Sequence, residues 1–191
     1  MHWLRFVVRA ALVLAAAALT AAPAAATTLI RQGLENLVRE NESIVQGKVL
    51  DLHSYWNQDH NMILTDVRVR PSAGLKGVGR DRDVTFTLVG GTVGETTVLI
   101  VGGPELVPGS EYLLFLNRED LPGSPHSLTV RDLVQGVFEA GTVKGEQRFF
   151  SQALRHPLSP DAQGRTDVPG GEEGMGAAEM MRQIRQVIDE Q

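Results

Sequence analysis

The chain has 191 residues, of which 18 are basic, 23 are acidic and none is cysteine, for a net charge of −5. This length suits one domain with its own apolar core. The acidic balance argues against a nucleic-acid partner, because phosphate binding requires concentrated positive charge. The absence of cysteine excludes disulfides, thiol nucleophiles and thiolate metal sites.

Residues 1–26 have the order of parts that is typical of a secretory signal peptide. Two arginines supply positive charge, an apolar run covers residues 10–19, and the small residues Ala24 and Ala26 end the segment. The apolar run is shorter than the roughly twenty residues needed to span a bilayer. We therefore expect cleavage before Thr27, export to the periplasm or the medium, and no membrane span after cleavage.

An amphipathic helix is predicted at the start of the mature chain. Apolar residues recur there at helical spacing, and charged residues stand between them. The apolar positions are Leu29, Ile30, Leu34, Leu37 and Val38. We expect this helix to end near Asn41.

Short strands separated by glycine and proline turns are predicted next. They cover residues 43–52, 63–70, 84–88, 96–101 and 111–117, with weaker ones at 127–130, 136–139 and 147–151. Residues 111–117 are apolar on both faces, so this strand should be the most buried. Strands of this length and spacing favour a mainly β fold, a small antiparallel OB-like barrel over residues 27–157.

Two segments complete the predicted domain organisation. Residues 158–176 are rich in Pro, Gly and Asp, which predicts a flexible linker or a long loop. Residues 177–191 return to helical periodicity, with Met180, Ile184 and Val187 on one face. This C-terminal amphipathic helix either packs on the barrel or carries an interaction surface. We expect packing, because a short amphipathic helix is marginally stable alone in water.

One predicted loop carries side chains that can ligate a metal. His53, Asp59 and His60 lie within residues 52–61, between the first two strands. Imidazole nitrogens and carboxylate oxygens bind zinc and related metals, so a metal-dependent hydrolase is one hypothesis. The two histidines do not have a standard ligand spacing, and Asn, Asp, His and Ser are also ordinary residues of a polar turn.

Other catalytic and cofactor motifs are missing from the sequence. It contains no G-x-S-x-G motif. The glycine-rich stretches at residues 90–94 and 102–103 lack the lysine of a phosphate-binding loop, and a strand pattern follows the first of them. We interpret these glycines as hairpin turns and points of close backbone approach, and we expect no cofactor.

Tyr55 and Trp56 stand in the same predicted loop as the histidines. Aromatic side chains at a loop tip contact sugars or protein partners, whereas Trp56 would alternatively fold back over one end of the barrel. We take the two residues as candidate ligand contacts of a non-enzymatic domain that binds a protein or a surface polymer. A purely structural module of the cell envelope is a further alternative.

The order of short motifs resembles a known fold family. The motifs are SIVQGKV at residues 43–49, ILTDVRV at 63–69, LKG at 75–77, GGP at 102–104 and PGSEYLLFL at 108–116. From residue 29 to residue 150 the chain is similar to bacterial exported proteins whose core resembles the netrin-like, or tissue-inhibitor-of-metalloproteinase-like, OB barrel. The resemblance implies a barrel. It does not imply metalloproteinase inhibition, because the cysteine with which those inhibitors chelate zinc has no counterpart here.

Overall fold

The computed structural model describes residues 29–131 and 133–191, so the predicted signal peptide lies outside the described residues. Helix α1 (Leu34–Glu40) and helix α2 (Ala177–Asp189) lie near the two ends of this part of the chain. The strands between them are β1 (Ser43–Trp56), β2 (Ile63–Lys76), β3 (Val84–Val89), β4 (Gly91–Val93), β5 (Thr96–Val98), β6 (Glu111–Arg118), β7 (Leu128–Val130), β8 (Val137–Val143), β9 (Glu146–Ser151) and β10 (Met175–Gly176). No helix among the described residues is long and apolar enough to cross a membrane.

The strands confirm the prediction of a mainly β, antiparallel fold with two helices. The main sheet has the order β10-β9-β8-β6-β1-β2-β3, and β7 pairs with β6 beside it. Every pairing is antiparallel. The sheet is not closed, because β3 lies against β7 without pairing with it. Closure into the expected barrel is therefore not observed.

Strand β6 is buried on both faces, as its apolar run predicts. Tyr112, Leu114 and Leu116 point into one core, inside the curve of the sheet. Leu113 and Phe115 point into a second core, on the side covered by the helices. Each of these side chains is at most 1% exposed, and burying one such side chain contributes about 1.5–3 kcal/mol.

Both helices pack on the sheet through the second core. Leu37 and Val38 of α1 and Met180 and Ile184 of α2 are buried there against Phe115. The C-terminal helix therefore covers the outer face of the sheet with its apolar stripe, as its periodicity predicts.

Helix α1 begins five residues later than its apolar periodicity predicts. Residues 29–33 are not helical, and Ile30 forms a parallel bridge with Ser159. The amide of Arg31 donates to Ser159 O at 2.9 Å, and the amide of Ser159 donates to Leu29 O at 2.8 Å. This pairing with the C-terminal segment satisfies backbone groups that a helix would otherwise use.

The segment predicted as a linker forms ion pairs with the buried Arg31. Arg31, which is 8% exposed, lies 3.1 Å from Asp161 and 3.2 Å from Asp167. Its Nε also donates to Asp167 O at 2.5 Å, and Val168 packs nearby in a small apolar cluster. Residues 158–174 contain turns but no helix or extended strand, and these contacts attach them to the N-terminal segment.

The hairpin between β1 and β2 is longer than predicted. The strands pair as far as Trp56 opposite Ile63, so His53 to Trp56 belong to the strand and the turn is limited to residues 57–62. Asn57 closes the turn, since its Oδ1 accepts from the amides of Asn61 and Met62, each at 3.1 Å. Polar residues on the outer face of a strand look like a loop in sequence, which explains the difference.

Candidate functional site

A short hairpin, β4–β5, leaves the main sheet after β3 and forms a separate two-stranded sheet. Gly91 begins it with a φ of 130°. A Cβ at this position would overlap the side-chain oxygens of Thr65 and Ser54, so only glycine allows the hairpin to cross so close to β1 and β2. This is the close backbone approach that the glycine-rich stretch predicts.

The residues after β5 form an exposed apolar ridge, which we define as Leu99–Val101. Leu99 is 85% exposed and Val101 is 92% exposed. The predicted strand over residues 96–101 ends at Val98 instead. An uncharged aliphatic run normally lies in a core, and here it lies at the surface.

Two adjoining grooves flank the apolar ridge, with volumes of about 550 and 580 Å³. Both are lined by Ile100, Val101, Gly102 and His156. Their remaining walls are largely aliphatic: Leu52, Leu88, Val89 and Leu106 in the first groove, and Leu29, Leu133, Pro157 and Leu158 in the second. The ridge and grooves together form a mostly uncharged surface.

The backbone around the apolar ridge is fixed at both ends. Before the ridge, Gly91 packs against β1 and β2. At the end of the ridge, the amide of Gly103 donates to Ile100 O at 2.9 Å and closes a turn. Further along, the buried Gln152 side chain bonds both backbone groups of Glu105, at 2.5 and 2.9 Å. The exposed side chains are therefore presented on a positioned backbone, which lowers the entropic cost of binding.

The structure places Tyr55 in a hydrogen-bond network and leaves Trp56 half-buried at the end of β1. The Tyr55 hydroxyl donates to Asp66 Oδ1 at 3.1 Å, and its ring stacks on His53 with centroids 5.9 Å apart. Burial and the neighbouring Asp66 carboxylate raise the pKa of Tyr55. The two aromatic residues lie on a strand, not at a free loop tip.

The candidate metal ligands are spread over the hairpin. His53 lies on β1, whereas Asp59 and His60 lie in the exposed turn. His60 has a φ of 53°, and its Nδ1 lies 3.3 Å from Gln58 O. In residues 29–131 and 133–191, no three His, Asp or Glu side chains lie close enough together to hold a metal ion.

A polar network around Asp66 was not predicted from the sequence. Besides Tyr55, the Asp66 carboxylate accepts from Thr87 Oγ1 at 2.7 Å and lies 3.4 Å from His126 Nε2. Thr87 Oγ1 also lies 2.8 Å from Ser124 Oγ. We call these five residues the Asp66 cluster.

The Asp66 cluster contains Asp, His and Ser but does not have the geometry of a catalytic triad. Ser124 Oγ accepts from the backbone amide of His126 at 3.1 Å and donates to its carbonyl at 2.9 Å. In a triad the imidazole ring itself takes the serine proton. Here the hydroxyl is engaged by backbone and by Thr87, so the cluster attaches the loop after β6 to strands β1, β2 and β3.

Comparison with known proteins gives no relative: no family model, curated protein or solved structure matches this chain. The apolar ridge and the Asp66 cluster are therefore interpreted from their geometry alone. Of the two, the apolar ridge is the one whose side chains are largely exposed in the part of the chain that the structure describes.

Proposed function

We propose that the chain is an exported, non-enzymatic domain that binds a partner protein through the apolar ridge. The observation that carries the proposal is the exposure of Leu99 and Val101, at 85% and 92%. Contiguous exposed aliphatic surface is rare on monomeric proteins and marks interaction sites. The side chains of the Asp66 cluster are engaged with one another. This favours a binding role over a catalytic one for the protein.

A protein partner fits this surface better than a polysaccharide. The ridge and grooves offer aliphatic side chains and backbone groups, and apolar contacts of this kind dominate the centres of protein interfaces. Sugar contacts would instead use aromatic rings, and Tyr55 is already stacked on His53. Tyr55 and Trp56 remain a second predicted contact.

Two finer expectations are part of the same proposal. The first is that the main sheet is an OB-like barrel left open between β3 and β7, and the burial of Val45, Phe86 and Leu114 in one shared core supports it. The second is that residues 1–26 direct export to the periplasm or the medium, which the signal-peptide pattern supports.

Affinity capture tests the proposed function. The protein, purified after export, is immobilised and exposed to the periplasmic and secreted proteins of its source. We expect the double variant Leu99→Gln, Val101→Gln to lose the captured partner by more than tenfold, because it removes the centre of the contact. The matched control is Val143→Gln, which alters a 42% exposed valine on a different hairpin. Equal capture by the ridge variant and the wild type would refute the proposal.

A further inference from the structure

The outer edge of β5 carries backbone groups that point away from the protein. Val93 and Thr96 pair across a two-residue turn, so they form a hydrogen-bonded pair. The alternation along an antiparallel strand then directs the N–H and C=O of Thr97, and the N–H of Leu99 just after the strand, away from β4. Within the described residues, no strand pairs with this edge.

Proteins protect exposed strand edges with charged side chains, prolines, short strands or a covering segment. Strand β5 is three residues long, but its edge has neither charge nor proline. From Thr96 to Gly103 the chain has no charged residue and no proline. The edge strand β3 of the main sheet is different, because it lies against β7. An unprotected edge with exposed aliphatic side chains is suited to pairing with another strand.

We propose that the partner at the apolar ridge is a second copy of this chain, which adds its own β5 edge to edge. This inference rests on the proposed function and names the partner. In the antiparallel arrangement Val98 lies on the two-fold axis, opposite Val98 of the second copy. Thr97 and Leu99 of one copy then form hydrogen-bonded pairs with Leu99 and Thr97 of the other.

The self-paired register is chemically consistent. Thr96 lies opposite Ile100 of the second copy, so each cross-strand pair joins β-branched or aliphatic residues, which stabilise antiparallel strands. No two like charges face each other, because residues 96–103 carry none. The interface is isologous and closes with two copies. In the dimer the outer β5 edge of each copy is paired with that of the other, so neither edge needs a charged residue to protect it.

Sedimentation equilibrium of the purified exported protein, from about 1 to 100 µM, tests the inference. The key variant is Thr97→Pro, which removes an outward N–H while the bonds of Thr96 and Val98 to β4 remain, and proline is tolerated on the open side of an edge strand. Its matched control is Thr97→Val, which keeps the N–H and the side-chain shape. We expect dimers for the wild type and Thr97→Val, and a dimer at least tenfold weaker for Thr97→Pro and for the ridge variant.

Amide hydrogen exchange on the wild type gives a second readout that does not depend on how Thr97→Pro folds. We expect the amides of Thr97 and Leu99 to become at least tenfold more protected as the concentration rises through the dimer range. A wild type that stays monomeric at about 100 µM overturns the inference, and so does a Thr97→Pro dimer of unchanged affinity. In the wild type, protection of these two amides that does not change with concentration also overturns it. A monomeric wild type that still captures another protein through the ridge overturns the self-pairing and leaves the proposed function standing.

Discussion

Replacing Asp66 with alanine should destabilise the domain more than replacing Asp51, the other carboxylate on β1 and β2. The Asp66 carboxylate accepts hydrogen bonds from Tyr55 and Thr87 and pairs with His126. Its side chain is 18% exposed. The variant removes all three contacts and releases the loop after β6 from the sheet.

The magnitude follows from the partners. A hydrogen bond to an ionised group contributes about 1.5–3 kcal/mol, and Asp66 accepts two of them. The pair with the 38% exposed His126 adds at most about 1 kcal/mol. In the variant the Thr87 hydroxyl can donate to Ser124 Oγ, 2.8 Å away, and water can replace the partner of Tyr55, so we expect a net loss of about 2–4 kcal/mol.

Urea unfolding with an unchanged m-value measures this loss. The control is Asp51→Ala, because Asp51 is 56% exposed and lies 3.8 Å from Arg68, an arrangement expected to contribute less than about 1 kcal/mol. Equal losses for the two variants would refute the assignment of a stabilising role to the Asp66 cluster.

The pKa of Tyr55 provides an independent readout of the same cluster. Burial is the larger cause of its raised pKa and Asp66 the next, so Asp66→Asn should lower it part of the way. The folded state favours the neutral phenol, and stability is therefore lost as the pH rises above 10 through the folded pKa. Ultraviolet titration of the wild type and of Asp66→Asn measures the change, since the chain has only two tyrosines. An unchanged titration in Asp66→Asn would contradict the proposed contact.

Three further predictions concern other parts of the fold. Ile184→Ala should lower the free energy of unfolding in urea by about 2–5 kcal/mol, since the Ile184 side chain on α2 is fully buried. A loss below about 1 kcal/mol would contradict that packing. Hydrogen bonds from Arg165, chiefly from its backbone amide, lower the pKa of Asp161 to about 2. Stability should therefore fall as the pH drops from 3.8 toward 2, and Asp161→Asn should flatten this fall in an acid titration; an equal fall would refute the effect. Gly91→Ala should lower the melting temperature, because its Cβ would overlap Thr65; an unchanged value would mean that the hairpin is not held there.

The parts of the fold that were predicted from sequence are those whose signal is local. Strand β6 is an unbroken apolar run, and burial on two faces is the only environment that suits such a run in a sheet. The amphipathic stripe of α2 likewise specifies a buried face before its position is known. Both predictions are confirmed.

The candidate site was missed because its signal is not local. Leu99–Val101 has the composition of a core strand, and only the packing of distant segments shows that it is exposed among the described residues. The bounding pairs Gly90-Gly91 and Gly102-Gly103 were the available clue, since they isolate the run from its neighbours. In the Asp66 cluster, Asp66 and Thr87 are 21 residues apart and Thr87 and Ser124 are 37 apart, so strand register is needed to bring them together.

The pairing of Arg31 with Asp161 and Asp167 has a consequence for the order of events during synthesis. These partners lie 130 and 136 residues downstream. The outer face of β6 is likewise covered only after α2 has been synthesised. Contacts of such separation form late, because the intervening chain must first be brought together. If the chain is exported N-terminus first, as we propose, neither contact can form until its last segment has crossed the membrane. The Arg31 contacts and the covering of β6 are therefore completed only when the C-terminal segment is in place.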